Sequence, residues 1–241
     1  MQIEVSLSTA LYGLRQLQGD HVAVAVDVLR ATSSICAAFQ AGAEEIVPLS
    51  TLDGLGAFAA RGYVVAAERG GRKVEGADAG NSPTEYAAMD LRGRRLVFSS
   101  TNGTLAILAA RCARRLYAGA FANLGALTRR LAEEPEANVV VVCSGWKGDP
   151  GIEDTLLAGA LIERLEGSVK RLHLVNDGAM MALDLWRSVT EPLYDHCLKA
   201  THVHRLQGFG ADDDVRWCLQ ADTCSVVPYY DAEAQSMRCL R

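Results

Sequence analysis

Short runs of consecutive apolar residues alternate along this chain with longer segments whose apolar positions recur every three or four residues. The short runs fall at 3–7, 22–28, 45–49, 63–67, 95–100, 115–119, 138–144, 171–175 and 225–230, and read as strands. Segments of helical period lie between most of them, at 32–41, 53–61, 103–114, 122–134, 152–166, 178–188, 192–206 and 212–219. Strands alternating with helices of this length are the signature of βαβ units. The pattern predicts an α/β fold, layered helix–sheet–helix, with a mostly parallel or mixed central sheet and a more helical, less regular C-terminal third. No internal repeat, low-complexity tract or Pro/Ser-rich linker interrupts it. Residues 1–241 therefore read as a single α/β unit, with a C-terminal subdomain from about residue 167 left open.

In open parallel sheets, ligands bind beyond the carboxyl ends of the strands, and three such ends carry polar clusters here. The first follows VAVAV: Asp27, then Arg30, then Thr32, Ser33 and Ser34 opening an apolar helix. Helix N–H groups favour an anion, Arg forks onto phosphate or carboxylate oxygens, and an Asp can hold a divalent cation. Asp27 lies too far inside its run for an ordinary helix cap. The second is Ser99-Ser100-Thr101-Asn102-Gly103-Thr104, where Asn-Gly permits a sharp turn and Thr101 or Asn102 can cap the next helix. The third is Gly145-Trp146-Lys147-Gly148-Asp149-Pro150-Gly151 after VVVVCS, followed by Glu153 and Asp154 in a first helical turn. Each cluster alone also reads as routine capping. A fourth segment, 67–86, is a long loop rich in Gly and in both signs of charge; it ends in Gly80-Asn81-Ser82-Pro83, with Ser82 as N-cap and Pro83 as first helical residue.

Composition narrows the class. The chain is 49% apolar and only 6% aromatic, which suits helices packed tightly on a sheet. A net charge of −5 and the lack of a basic stretch argue against a nucleic-acid partner. No run reaches membrane-span length and the N-terminus has no signal-peptide pattern. Seven cysteines without a CxxC pair point to free, mostly buried thiols in a reducing cytoplasm.

Several chemistries drop out. There is no GxxxxGK[ST] for a P-loop, and the Gly54-Leu55-Gly56 segment follows a run containing Pro48, so a dinucleotide turn is disfavoured. Phosphoaspartate phosphatases carry a second Asp two residues after the first, where this chain has Leu29. Cys143 lacks the Arg six residues on that cysteine phosphatases use, and its apolar approach reads as packing. His202 and His204 read as solvent-facing, and Asp212-Asp213-Asp214 as a complement to a helix dipole.

VDVLRATSSICAAFQAGAEEIVPL, ERGGRKVEGADAGNSPTEY, STNGT and IEDTLLAGA together resemble the 2-phosphosulfolactate phosphatase family, from about Asp27 to beyond Gly159, with Asp222 and Val227-Pro228 also familial in pattern. The resemblance implies a Mg²⁺-dependent hydrolase of the coenzyme M biosynthetic type, releasing phosphate and sulfolactate, while other 2-phospho-hydroxycarboxylates stay open as substrates. On that reading Asp27, Arg30 and Asp154 are catalytic, and Asp27, Glu68 and Asp154 hold Mg²⁺, with Glu75 the rival to Glu68. Arg30, Thr32 and Ser33 bind the phosphate, and Asn102, Gly103 and Thr104 give a second set of donors. Arg69, Asn81 and Ser82 receive the carboxylate or sulfonate. Attack by metal-activated water is expected, with an Asp27 acyl phosphate as the alternative. The expected partner is a small phosphorylated or sulfonated 2-hydroxy acid, with neither nucleic acid nor membrane; a homo-oligomer is left open.

Two rivals remain at this level. A non-catalytic binding protein for small phosphorylated or sulfonated metabolites would use the same cradle, although the carboxylates Asp27, Glu68, Glu75 and Asp154 would repel its ligand without a cation. A Cys143-dependent hydrolase would be indifferent to chelators.

Overall fold

The computed structural model describes residues 1–15 and 19–240. Its strands are β1 (Gln2–Ser6), β2 (Val22–Val26), β3 (Glu45–Pro48), β4 (Val64–Arg69), β5 (Arg72–Lys73), β6 (Arg95–Ser99), β7 (Arg115–Gly119), β8 (Asn138–Cys143), β9 (His173–Leu174), β10 (Val227–Asp231) and β11 (Ser236–Leu240). Its helices are α1 (Thr9–Gly13), α2 (Ala31–Gln40), α3 (Leu55–Ala59), α4 (Pro83–Ala87), α5 (Gly103–Ala109), α6 (Leu124–Ala132), α7 (Ile152–Glu166), α8 (Asp177–Arg187), α9 (Leu193–Cys197), α10 (Thr201–Gln207) and α11 (Asp212–Cys218). The strands form one mixed sheet in the order β5-β4-β6-β3-β11-β10-β7-β2-β8-β1-β9.

The alternation inside β2 sets the two layers. Val22, Val24 and Val26 enter one core with residues of α6, α7, α8, α10 and α11. Ala23 and Ala25 face the opposite core, with α2 and α5. A fully buried Val contributes about 1.5–3 kcal/mol, so the apolar interior carries the stability and the strand ends can hold costly polar groups. The small alanines on the second face let α5 come close to β2.

The sheet is parallel on either side of an antiparallel insertion. β2 pairs in parallel with both β7 and β8, and β6 does so with β3 and β4. The β10–β11 hairpin wedges between the two halves, joined by one residue pair on each side, Tyr229↔Tyr117 and Met237↔Ile46. Five inter-strand steps separate β6 from β2, about 24 Å in a flat sheet. Yet Gly103, just beyond β6, touches Asp27, just beyond β2. Curl of the sheet and the turn at 100–102 together close that distance, which is how distant strand ends come to share one crevice.

Five elements depart from the sequence reading, the first being β5 (Arg72–Lys73), which falls within the segment read as a loop. β2 stops at Val26, because the Asp27 N–H turns to the Thr32 hydroxyl (3.1 Å) instead of continuing the ladder. The 192–206 segment is two helices, broken where Ala200 is extended. The hairpin partner β11 (SMRCL) has no apolar run to announce it, and α1 was too short to register as a period. Among the described residues no helix is long and apolar enough to cross a membrane.

Candidate active site

A polar crevice of about 20 Å³ opens where the ends of β2, β4, β6 and β8 meet α10. Asp27, Arg30, Glu68, Asn81, Asn102, Trp146, His202 and Arg205 line it. Wider grooves exist, including one of about 910 Å³ between Gln40, Arg129, Arg164 and Asp222. The small crevice is the one that gathers buried charge.

Asp27 is its centre. Its Oδ1 accepts the Ala31 N–H at 3.2 Å, so the carboxylate does act on the start of α2, unlike the expectation that it was no cap. No donor among the described residues reaches Oδ2. A Cβ on residue 103 would lie 2.7 Å from that Oδ2 and 2.3 Å from the Ala31 Cβ, so only glycine leaves room for the carboxylate. Burial pushes the Asp27 carboxyl up to about 6; His202 and the Ala31 N–H pull against this, and the charges of Glu68 and Glu153 add to it.

Arg30 is held from two sides. Nη1 donates to Asp214 Oδ2 at 2.5 Å and Nη2 to the Gly71 carbonyl at 2.9 Å. Two of its five N–H groups are thereby used, and the others remain for a ligand. Asp214 was read as a dipole complement; instead it is buried and also accepts from Ser82 Oγ (2.7 Å) and Thr84 Oγ1 (2.6 Å). Glu68 rather than Glu75 is buried in the crevice. Its Oε1 accepts the Gly71 N–H (2.5 Å) and the Thr101 hydroxyl (2.9 Å), tying the β4–β5 turn to the end of β6.

Other expected site residues prove to be braces. Asp154 Oδ1 accepts the Val28 N–H (2.8 Å), and Oδ2 accepts Ser144 Oγ (3.0 Å) and the Gly145 N–H (3.1 Å). It staples the ends of β2 and β8 and does not line the crevice; burial, with Glu153 and Asp27 nearby, pushes its carboxyl well up. Thr32 and Ser33 are fully buried, and their hydroxyls donate to the carbonyls of Asp27 (2.9 Å) and Val28 (2.8 Å). They shape the turn that presents Asp27 and do not reach the crevice. Asn102 stands at the N-cap of α5, as expected, without a side-chain cap bond; Ser100 Oγ instead accepts the Thr104 N–H (3.1 Å), and the Thr104 hydroxyl donates to the Ser100 carbonyl (2.9 Å). Ser82 caps α4 as expected, accepting the Glu85 N–H (3.1 Å). Arg69 turns away to Ser99 Oγ (2.8 Å) and the Glu68 carbonyl (2.6 Å). Asn81 and Asn102 do line the crevice, and the buried Asn81 Oδ1 has no hydrogen-bond partner.

The roof came without a usable signal in the sequence. His202 was read as solvent-facing, but it is largely buried, its Nδ1 lies 3.1 Å from the buried Glu153 Oε1, and its ring stacks near Trp146 (centroids 5.4 Å apart). A carboxylate is an acceptor, so the pairing suits an Nδ1–H donated to Glu153, with Nε2 left outside this contact. Arg205 lies over the other part of the Trp146 ring, 3.9 Å from its centroid.

The expected three-carboxylate metal set does not assemble: among the described residues no three His, Cys, Asp or Glu are grouped to hold a metal ion. Both oxygens of Asp154 face protein donors, and so do both of Glu68, whose Oε2 accepts the Thr101 N–H (3.2 Å). A lesser role fits better. Mg²⁺ commonly takes one or two carboxylates and completes its shell with water and substrate phosphate, and Asp27 offers an unclaimed oxygen with Glu68 alongside. Cys143 is buried in the core, where burial and the charge of Asp154 push its thiol well above the ordinary range. That removes the thiol-nucleophile reading. Four of the seven cysteines, Cys36, Cys143, Cys197 and Cys218, are buried.

The chain matches known proteins over most of its length. The family model described as 2-phosphosulpholactate phosphatase matches residues 11–233. The chain is 39% identical over 211 residues to a Gloeobacter violaceus protein named "Probable 2-phosphosulfolactate phosphatase", covering 86% of each. A protein of Parasynechococcus marenigrum with the same name is 40% identical over 212 residues, covering 86% of this chain and 87% of its own.

Proposed function

Because the chain belongs to the 2-phosphosulfolactate phosphatase family, we propose that it hydrolyses the phosphate ester of a short 2-hydroxy acid, foremost 2-phosphosulfolactate, to sulfolactate and phosphate. The reaction is the one associated with coenzyme M biosynthesis. The observation that carries this reading is Asp27, whose unclaimed Oδ2 shares one crevice with Arg30, Glu68 and His202.

Phosphoryl transfer needs chiefly positioning and neutralisation of charge. Asp27, with Glu68 beside it, would hold Mg²⁺, which when bound offsets the charge on the phosphoryl oxygens. The unclaimed N–H groups of Arg30 grip the same oxygens, and Asp214 keeps that guanidinium in place. Water attacks phosphorus, the ester P–O bond breaks, and the departing 2-oxygen takes a proton. His202, its Nδ1 held by Glu153, is placed to move that proton at Nε2. We take direct attack by water as the route, with an acyl phosphate on Asp27 as the alternative; either one needs this proton. The two carboxylates that line the crevice, Asp27 and Glu68, disfavour a cation-free binding protein, since they repel an anionic ligand.

The test is phosphate release by the purified protein with Mg²⁺ from 2-phosphosulfolactate and from 2-phospholactate. Release from the first, or from both, supports the reading; tight binding of either ester without release overturns it in favour of a sensor.

A further inference from the structure

Arg30 gives two N–H groups to internal partners and, on the phosphatase reading, the rest to the phosphate, and Arg69 points away, so a second acid group on the substrate calls for another cation. Arg205 is the one the structure offers. Its guanidinium carbon lies 3.9 Å from the centre of the Trp146 ring, a cation–π contact that holds it over the crevice. Among the described residues it makes no hydrogen bond or ion pair, so all its N–H groups are unclaimed. It is also close to Arg30: both reach Gly71, whose carbonyl accepts from Arg30 Nη2 (2.9 Å) and whose Cβ, if present, would lie 3.5 Å from Arg205 Nη2. Gly71 has φ +90° and leaves the space that Phe209 fills beneath Arg205. Burial holds the Arg205 guanidinium below its ordinary range, Arg30 adds to this, and Glu68 opposes it. Two guanidinium groups kept this near one another, one of them unpaired, make a place for an anion. In the same crevice Asn81, 94% buried, has an amide oxygen with no partner, an acceptor that a donor such as a water brought in with the ligand would meet. A buried amide left unpaired is costly unless a ligand meets it.

We propose that Arg205, held on Trp146, receives the second acid group of the substrate, the carboxylate or sulfonate carried beside the phosphate ester, and so sets substrate choice. This rests on the phosphatase reading. It assigns to α10 the part that the sequence suggested for Arg69, and it makes Trp146 a positioning residue. A guanidinium presents a planar fork to an oxyanion, which Lys cannot reproduce.

The experiment uses the Mg²⁺-loaded protein, as wild type, Arg205→Gln, Arg205→Lys and Trp146→Leu. Turnover of 2-phosphosulfolactate and 2-phospholactate is measured beside calorimetric binding of sulfolactate and of inorganic phosphate. Loss of charge-assisted hydrogen bonds predicts a KM for 2-phosphosulfolactate about 10- to 100-fold higher in Arg205→Gln, with kcat little changed. Sulfolactate binding falls in parallel while phosphate binding stays as in wild type. Arg205→Lys recovers only part of the loss, and Trp146→Leu shows a milder version of it. An equal KM rise for 2-phospholactate assigns the carboxylate; a rise confined to 2-phosphosulfolactate assigns the sulfonate. Unchanged sulfolactate affinity in Arg205→Gln, or an equal loss of phosphate affinity, overturns the assignment while wild-type turnover leaves the hydrolase reading standing. A wild type that neither turns over the esters nor binds sulfolactate overturns both.

Discussion

Arg30 and Asp214 lie 184 residues apart in sequence and 2.5 Å apart in space, both almost wholly buried. This pair ties the end of β2 to α11 and orients the guanidinium that faces the crevice. Breaking a buried pair leaves an uncompensated charge, at a cost of about 3–5 kcal/mol. Asp214→Ala is accordingly expected to lower unfolding free energy by that order in urea titration, and to raise KM for the ester. Asp214→Asn is expected to lose less. A variant as stable as wild type would contradict the pairing.

Gly103 is a steric requirement of the site. Its replacement by Ala would press on Ala31 and on Asp27 Oδ2, and displacement of a reacting group by about 1 Å can cost on the order of 10²-fold in rate. Gly103→Ala should fold, as judged by circular dichroism, and lose about that factor in kcat. Full activity would show that α5 does not confine Asp27.

Asp154 is a staple in this structure. Asp154→Ala strands the Val28 and Gly145 N–H groups, at about 1–3 kcal/mol for each buried donor left unpaired. The expected result is a clear loss of stability in denaturant with Mg²⁺ affinity, measured by calorimetry, close to wild type. The converse result, preserved stability and lost Mg²⁺ binding, would restore it as a ligand.

Asp222 predicts a pH effect away from the site. Burial works to raise its carboxyl, but Arg164 at 2.7 Å, the Gly125 N–H and Arg129 outweigh it and hold the carboxyl below the ordinary range. A depressed carboxyl stabilises the fold above its unfolded pKa, near 4, and that contribution fades as pH falls through the lower folded value. The side chain is 44% exposed, so the effect is small. Asp222→Asn should melt slightly below wild type at pH 7, with the gap closing toward pH 2; a gap that widens in acid would reverse the sign.

Local pattern made much of this molecule readable. The unbroken apolar runs located most strands of the sheet, the helical period placed α7 at 152–166, and Ser82-Pro83 marked the start of α4. Asp27, Arg30, Glu68, Asn81 and Asn102 share the crevice as their motifs suggested. Chain-distant partners were not readable. A hydroxyl in a motif does not say whether it faces a ligand or, like those of Thr32 and Ser33, the carbonyl behind it. His202 and Arg205 sit on a seven-residue helix with ordinary polarity, and only packing on Trp146 turns them inward. The place of the β10–β11 hairpin in mid-sheet depends on pairings that no single segment encodes.

The measurement that bears most directly on the central claim is phosphate release from 2-phosphosulfolactate by wild type and Asp27→Asn, with Mg²⁺ and with excess chelator. The account predicts turnover by wild type with Mg²⁺ alone, near-complete loss with chelator, and near-complete loss in Asp27→Asn under either condition. Turnover that survives chelation, or that Asp27→Asn retains, would contradict it.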